Sequence, residues 1–389
     1  MRIVVASDKF KEALSAERAC AAIARGVRRA APEADIDECP MADGGEGTGR
    51  ALAAGNAGET RELIFDVCGP IPGTTVKGRV VVIDGGQTAL IDMADAAGIA
   101  LLKPEERDPT RTTSYGVGEL IRHAVDAGCR RIVVGLGGSA TCDAGLGAAQ
   151  ALGLHLEFED GPPRGPVVGG DLEKLVHVDV PVVGLGARVL CLCDVDNPLV
   201  GERGTARAFA PQKGASPEQV DRLEAGVRHA AETAGRLLAA NEPCFGAAGG
   251  LAFGLHLACK AEARPGVDAV ADTARLEERL ESARLCITGE GRFDGSSFDG
   301  KVVGGVAARC HVAEVPCIAL VGGLDPHAAE DASSLHLSGV FPLACGPQTI
   351  EEMIAATEER LEQAAEQVCR FFLAIEQSAP HIVTSPQFV

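Results

Sequence analysis

Short apolar runs alternate with helical stretches along most of the 389-residue chain, and this alternation constrains its fold more than any other feature. Residues 2–6 and 131–135 are predicted to be buried strands, and residues 16–30 and 216–238 to be helices. Strands that alternate with helices in this way are typical of largely parallel sheets covered by helices. The pattern therefore predicts the α/β class.

The stretch between residues 61 and 100 departs from this alternation. The turn signals Gly69-Pro70 and Pro72-Gly73 lie within a segment of alternating apolar residues, which predicts antiparallel hairpins. We therefore predict two α/β domains, one built from both ends of the chain and one inserted into it. The predicted limits are 1–62 with 282–372 for a discontinuous, Rossmann-like three-layer domain, 63–281 for an inserted α/β domain with a mixed sheet, and 373–389 for a peripheral tail.

The charge balance narrows the range of partners. The sequence carries 36 Lys and Arg residues against 55 Asp and Glu residues, a formal net charge of −19. Binding to nucleic acid or to an anionic membrane requires a basic face, so we expect neither partner. No apolar run approaches the roughly 18 residues expected of a membrane-spanning helix. The 14 cysteines are scattered through apolar segments, which favours buried free thiols in the reducing cytoplasm.

Five loops combine glycine, acidic, hydroxyl or lysine residues. The first is Ser7–Lys11, directly after the first predicted strand, where α/β sheets bind ligands. The second is Ala42–Thr48, in which glycine amides alternate with two acids. Backbone amides exposed by glycine can bind an anion, and carboxylates can hold Mg²⁺ or accept a proton. Both loops are therefore candidate parts of a functional site.

The third loop, Gly135–Asp143, follows a predicted strand and matches G-x-G-x-x-A. Glu157 lies close to the position, roughly 20 residues further on, where a dinucleotide-binding fingerprint places an acid. Ser139 and Thr141 add hydroxyls suited to phosphate at a predicted helix N-terminus. This loop leaves an NAD-dependent hydroxyacid dehydrogenase open as an alternative function.

The fourth loop begins at Asp194, which ends an apolar strand, and continues to Lys213. The fifth runs from Thr288 to Lys301 and contains Glu290 and Asp294. Its last seven residues match G-x-x-x-x-G-K, but valine follows the lysine where a P-loop has Ser or Thr, and no strand directly precedes them. We therefore reject a P-loop and retain Lys301 as a phosphate contact at a helix start.

The chemistry available in these loops consists of carboxylates, lysines and glycine amides. No Ser-His-Asp arrangement stands out, and the nine histidines lack zinc-ligand spacing. Phosphoryl transfer depends mainly on positioning and on neutralising charge, which these groups can supply. A kinase is therefore the function that the residues favour.

Several motifs occur together and in order. They are Asp8-x-Phe10-Lys11, Pro40–Thr48 (PMADGGEGT), Gly137–Asp143 (GGSATCD), Cys193–Leu199 (CDVDNPL), Pro211–Gly214 (PQKG), Ala247–Leu251 (AAGGL) and Thr288–Gly291 (TGEG). On these motifs, over roughly residues 1–372, the chain strongly resembles the bacterial glycerate kinase family typified by enzymes of glyoxylate and glucarate breakdown.

The resemblance implies ATP-dependent phosphorylation of D-glycerate with Mg²⁺, with 2-phosphoglycerate as the favoured product. It also implies two α/β domains unrelated to P-loop or protein kinases. A non-catalytic glycerate sensor on a kinase scaffold stays open as a second alternative. The partner that we expect is the small-molecule substrate, and the oligomeric state is left open, with a homodimer as one option.

We expect the site residues to fall into three groups. Either Asp43 or Asp194 takes the proton from the attacking hydroxyl, and the lysines neutralise phosphate or the glycerate carboxylate. The candidate catalytic residues are Asp43, Asp194, Lys11 and Asp8. The candidate ATP-binding residues are Gly44, Gly45, Gly47, Thr48, Gly137, Gly138, Ser139, Thr141, Lys213, Gly289 and Lys301. The candidate Mg²⁺ ligands are Glu290, Asp294 and Glu46.

Overall fold

A computed structural model describes residues 1–45, 47–55, 58–180, 184–298 and 301–378. The chain divides into two compact units. Unit 1 comprises residues 1–42 and the chain from residue 271 onward, and unit 2 comprises residues 43–270. One unit is thus built from both ends of the chain, and the other is inserted into it.

Both units mix helices and strands. The strands are β1 (Arg2–Ser7), β2 (Asp35–Glu38), β3 (Arg61–Cys68), β4 (Thr75–Ile83), β5 (Thr88–Asp92), β6 (Arg131–Gly135), β7 (His155–Phe158), β8 (Leu175–Asp179), β9 (Arg188–Cys193), β10 (Glu262–Pro265), β11 (Ala283–Phe293), β12 (Cys317–Leu324) and β13 (Gly339–Pro342). The helices are α1 (Ala16–Ala30), α2 (Thr48–Gly55), α3 (Ala94–Ala97), α4 (Tyr115–Asp126), α5 (Leu146–Ala151), α6 (Thr205–Phe209), α7 (Pro217–Thr233), α8 (Leu251–Cys259), α9 (Gly266–Thr273), α10 (Leu276–Leu280), α11 (Val302–Val312), α12 (Pro326–Asp331) and α13 (Ile350–Ser378). Within the described ranges, no helix has the length and apolar character needed to cross a membrane.

Unit 1 is a three-layer α/β/α arrangement around a parallel sheet of order β13-β12-β11-β1-β2. Because side chains alternate along a strand, Ile3 and Ile287 pack on one face with α1 and α13, while α11 contacts β11 and β12. Helices α1 and α13 approach closely at Gly26, where a Cβ would lie 2.1 Å from the Glu362 carbonyl oxygen. The α/β class is confirmed.

Unit 2 contains a mixed sheet of order β10-β9-β6-β5-β4-β3. Strands β5, β6, β9 and β10 run parallel, and the predicted hairpin is confirmed as the antiparallel pair β3–β4. Strands β7 and β8 form a separate antiparallel ribbon. The carboxyl ends of the parallel strands place Asp92, Gly135 and Cys193 along one edge of the sheet.

The boundary between the two compact units differs from the predicted domain limits at both of its crossings. It falls after Ala42 rather than after residue 62, because α2 contacts β4, β5 and β6, and β3 pairs with β4. It falls after Val270 rather than after residue 281, because α10 contacts α11 and β11. The loop that begins at Asp43 therefore belongs with the mixed sheet.

Candidate active site

The loop after Ala42 packs directly on the end of β9. Gly44 has a φ of +96°, and a Cβ there would lie 2.7 to 2.9 Å from backbone atoms of Cys193, so only glycine fits. The Gly44 carbonyl also accepts a hydrogen bond of 3.2 Å from the Leu136 N–H. Asp43 and Asp194 each adjoin one side of this contact. The fold thus brings together the two candidate proton acceptors.

Internal hydrogen bonds fix the shape of this loop. The Asp43 Oδ1 accepts from the Gly45 N–H at 3.1 Å, and the Thr48 hydroxyl donates to the Gly45 carbonyl at 2.6 Å. Asp43 is half-buried and Thr48 is fully buried. Gly47 has a φ of +87°, which favours glycine. Glu46, predicted as a metal ligand, lies outside the described residues.

Asp92, the last residue of β5, is a buried carboxylate beside the Asp43–Thr48 loop, and it was not among the predicted site residues. Its Oδ1 accepts a 2.9 Å hydrogen bond from the Gly49 N–H in the first turn of α2. A Cβ on Gly135 would lie 2.9 Å from the same oxygen, so β6 needs glycine there. The sequence pattern that selected Asp194, an acid directly after an apolar strand, also applies to Asp92, which follows the apolar run Ala89–Ile91.

Lys213 is buried beneath the loop that follows β6. Its Nζ donates to the Ser139 hydroxyl and to the Thr141 carbonyl, both at 2.7 Å. Burial lowers the pKa of Lys213 from 10.5 to about 8, partly offset by Cys142 and Asp143. This ammonium group is therefore a poorly solvated positive charge tied to the loop.

Gly137, Gly138 and Ser139 are half-exposed residues, and their backbone N–H groups donate to no acceptor in the part of the chain that the structure describes. The residues that follow in this loop are fixed by buried hydrogen bonds. The Thr141 hydroxyl donates to the Ala248 carbonyl at 3.3 Å. The Asp143 carboxylate accepts from the Ser114 N–H and hydroxyl, both at 2.7 Å, although burial raises its pKa. Open amides on a fixed backbone are suited to an anion.

The same loop does not have the geometry of a dinucleotide fingerprint. In that motif a helix begins directly at the glycine turn, whereas here α5 begins only at Leu146. Glu157 lies on the β7–β8 ribbon and is exposed, rather than ending a neighbouring parallel strand. The structural basis for the dehydrogenase alternative is therefore missing.

One cysteine pair corrects the expectation of free thiols throughout. Cys193, at the end of β9, is joined to Cys244 by a disulfide, with Cα atoms 6.1 Å apart. The other cysteines are free. Cys193 directly precedes Asp194, and Cys244 has a φ of +69°, which is uncommon for a residue with a side chain. No local sequence pattern indicates this pair, because the two cysteines lie on separate segments that only the fold brings together.

The disulfide makes a simple prediction about thiol numbers. In denaturant without reductant, 12 thiols per chain react with a thiol reagent, and 14 react after reduction. The matched control is Cys244→Ser, in which the count is the same before and after reduction. Equal counts for the unsubstituted chain would show that the pair is not oxidised.

In unit 1 the predicted loop from Thr288 to Phe293 is instead the second half of β11. It stays extended because it pairs with β12 as far as Phe293 and Leu324. Gly289 is required there, since a Cβ would lie 2.5 Å from the Leu320 carbonyl oxygen. The Gly289 carbonyl accepts from the Asp8 N–H at 2.9 Å. Asp8 and Gly289 are therefore neighbours in unit 1.

The residues after β1 differ in their exposure. Asp8 is only 7% exposed, and its Oδ1 accepts from the Lys9 N–H at 2.7 Å. Lys11 is exposed, and its backbone nitrogen lies beside Gly291, 3.2 Å from where a Cβ would be. Asp8 thus shapes the turn, whereas Lys11 presents its charge at the surface of unit 1.

Glu290 is a buried carboxylate at the end of the same strand. Its Oε1 accepts a 2.6 Å hydrogen bond from the Ser297 hydroxyl, which in turn accepts from the Asp294 N–H at 3.1 Å. Asp294 also pairs with Arg292 at 3.3 Å. Lys301 is the N-cap of α11. Ser297 was missed by the sequence analysis, because a serine in a polar loop gives no local signal of this contact.

Carboxylates, a buried lysine and open glycine amides at the ends of parallel strands define an α/β enzyme that handles an anionic substrate. Comparison with known proteins then identifies the family. The model of the glycerate kinase family matches residues 3–373. The chain belongs to the glycerate kinase family, and the resemblance carried by its motifs is confirmed.

Individual relatives agree with this assignment. The chain is 38% identical to a glycerate kinase of Bacillus subtilis (strain 168) over 95% of its own length and 97% of the relative. It is 38% identical to a glycerate 2-kinase of Escherichia coli (strain K12), over 95% and 96%. The crystal structure of a "putative glycerate kinase 2" from Salmonella typhimurium LT2 superposes with a TM-score of 0.84 at 38% identity, covering 97% of this chain and 99% of that one.

Proposed function

We propose that this chain transfers the γ-phosphoryl group of ATP to a hydroxyl of D-glycerate, in the presence of Mg²⁺, and that the product is 2-phosphoglycerate. Family membership supports glycerate as the acceptor. The name of the Escherichia coli relative, glycerate 2-kinase, favours the 2-hydroxyl. The use of ATP favours the cytoplasm. Neither the dehydrogenase nor the sensor alternative finds support in these comparisons.

One observation in unit 2 carries the proposal. The Gly44–Cys193 contact brings Asp43 and Asp194 to the edge of the sheet, and Leu136, bonded to Gly44, leads into the Gly137–Ser139 amides. Lys213 adds a positive charge to the same loop. A proton acceptor and anion donors on neighbouring loops are the parts that phosphoryl transfer requires.

In this scheme Asp194 accepts the proton of the attacking hydroxyl, with Asp43 as the second candidate. Asp194 is exposed at the end of β9, whereas Asp43 is half-buried and accepts from the Gly45 N–H. An exposed carboxylate at a strand end is accessible to a substrate hydroxyl. The open amides and Lys213 stabilise the charge that develops on the transferred phosphoryl oxygens.

Mg²⁺ fits the acidic residues of unit 1. Glu290 and Asp294 offer hard carboxylate oxygens, which Mg²⁺ prefers, and Ser297 holds Glu290 in place by its hydrogen bond. When bound, Mg²⁺ would neutralise the negative charge of the nucleotide phosphates. Lys11 and Lys301 are proposed phosphate contacts, Lys301 at the N-terminus of α11, where the helix dipole also favours an anion.

Phosphorus NMR of a reaction with ATP, Mg²⁺ and D-glycerate tests the proposal. The expected result is ADP and 2-phosphoglycerate appearing together. A 3-phosphoglycerate signal would overturn the 2-hydroxyl assignment alone. The absence of nucleotide turnover despite glycerate binding would overturn the kinase and favour the sensor.

The metal assignment makes its own prediction. Glu290→Gln lowers kcat/KM by about 10- to 100-fold and raises the Mg²⁺ concentration needed for half-maximal rate, because one carboxylate charge is lost. Ser297→Ala shifts the Mg²⁺ dependence in the same direction by a smaller factor. The matched control is Glu278→Gln on α10, where the carboxylate is exposed. An unchanged Mg²⁺ dependence in Glu290→Gln would remove Glu290 from the metal site.

A further inference from the structure

Three buried cysteines converge in unit 1, away from the residues assigned to phosphoryl transfer. Cys286 on β11 and Cys317 on β12 are register partners in the parallel sheet, and Cys310 lies on α11, which packs on both strands. The three sulfur atoms lie within 4.8 Å of one another, and each residue is at most 1% exposed. None of them forms a disulfide.

We propose that Cys286, Cys310 and Cys317 form a binding site for a single Cu(I) ion. The sulfurs come from three separate elements and lie within 4.8 Å of one another, so they can act together as ligands. Other buried cysteines, such as Cys20 and Cys369, form no such group among the residues that the structure describes. A buried cysteine behaves by itself as a small apolar residue, so the convergence is the feature that requires an explanation.

The ligand set decides which ion is favoured. In the described part of the chain, no histidine or carboxylate joins the three sulfurs. Mg²⁺ and Ca²⁺ require oxygen ligands and are excluded by this set. Structural zinc sites use four protein ligands, whereas this buried site supplies only three among the described residues, so zinc is not favoured. Soft thiolates select Cu(I), which is stable with so few sulfur ligands.

Binding involves no change of oxidation state. Three Cu–S bonds form, and each thiol that becomes a thiolate releases one proton to solvent. The bound ion would connect the paired strands β11 and β12 to α11, which packs on them through its side chains. Because it binds the folded chain and not the separated elements, Cu(I) is expected to raise the thermal midpoint of unfolding.

The test titrates the full chain with Cu(I) against a chromophoric Cu(I) chelator, without added thiol so that the Cys193–Cys244 pair stays oxidised. The background carries Cys345→Ser, which removes the exposed cysteine. Long incubation allows local opening to admit the ion to the buried site. We expect one Cu(I) per chain and an X-ray absorption spectrum of three sulfur ligands.

Variants locate the site. Cys310→Ser and Cys317→Ser each lower the affinity at least about 100-fold, because a ligand is lost. Cys369→Ser, which removes a buried cysteine elsewhere in unit 1, leaves it unchanged. Failure to retain Cu(I) against the chelator, equal retention by Cys310→Ser, or a spectrum with nitrogen or oxygen ligands would overturn the site. The X-ray spectrum is recorded on the chain with all three cysteines, so it does not depend on the folding of a variant.

Discussion

Asp194→Asn is expected to lower kcat for glycerate phosphorylation by about 10²- to 10⁴-fold, the usual contribution of a general base. The substitution keeps the size of the side chain and removes its ability to accept a full proton. KM for ATP should stay within a few-fold, because the amides of the Gly137–Ser139 loop and Lys213 remain in place. Steady-state kinetics with a coupled ADP assay measures both constants.

The chain offers a matched control two residues further on. Asp196 is also exposed, but its carboxylate is paired with Arg203. Asp196→Asn is therefore expected to retain turnover close to that of the unsubstituted enzyme. Asp43→Asn completes the series, since its carboxylate adjoins the same Gly44–Cys193 contact. If Asp43→Asn and Asp194→Asn both kept near-normal turnover, neither residue would be the base.

The adjacency of these two acids shows what the sequence could predict and what it could not. Each lies next to a glycine loop or at a strand end, and an acid in such a position is a candidate site residue from sequence alone. The same rule applied to Asp92 would have selected it as well. That Asp43 and Asp194 are neighbours depends on Gly44 packing against Cys193. This contact joins distant segments, and no local pattern of glycine or charge specifies it.

The second half of β11 shows a different limit. Thr288–Gly291 contains two glycines and an acid, which locally indicate a loop. Pairing with β12 overrides this preference and keeps the segment extended as far as Phe293. Strand propensity depends strongly on the neighbouring strands, so a central strand can accommodate residues that would end an isolated one. The burial of Glu290 and its bond to Ser297 follow from that pairing.

Lys213 was selected as a phosphate contact from sequence, but its burial and lowered pKa come only from the fold. Lys213→Met is expected to lower kcat/KM by about 10²- to 10³-fold, because a charged donor to the anion loop is removed. Part of the effect arises because the Thr141 carbonyl and Ser139 hydroxyl lose their donor. The pH dependence separates the two causes.

In the unsubstituted enzyme, kcat/KM is expected to fall above a pH of about 8, tenfold per unit, as Lys213 loses its proton. The contribution of Lys213 to stability changes in the opposite direction. Its pKa is lower in the folded chain than in the unfolded chain, so between pH 8 and 10.5 the unfolded chain binds more protons. Over that interval this residue raises the free energy of unfolding by at most about 1.4 kcal/mol per pH unit.

Loss of activity above pH 8 can therefore be distinguished from alkaline unfolding. Kinetics and urea unfolding are measured across pH 6.5–9.5 on the unsubstituted chain and on Lys213→Met. The variant should lack the fall in kcat/KM near pH 8, and its stability should rise less with pH than that of the unsubstituted chain. A fall in kcat/KM that persists unchanged in Lys213→Met would belong to another group, and Lys213 would then be a structural lysine that holds the Ser139 loop.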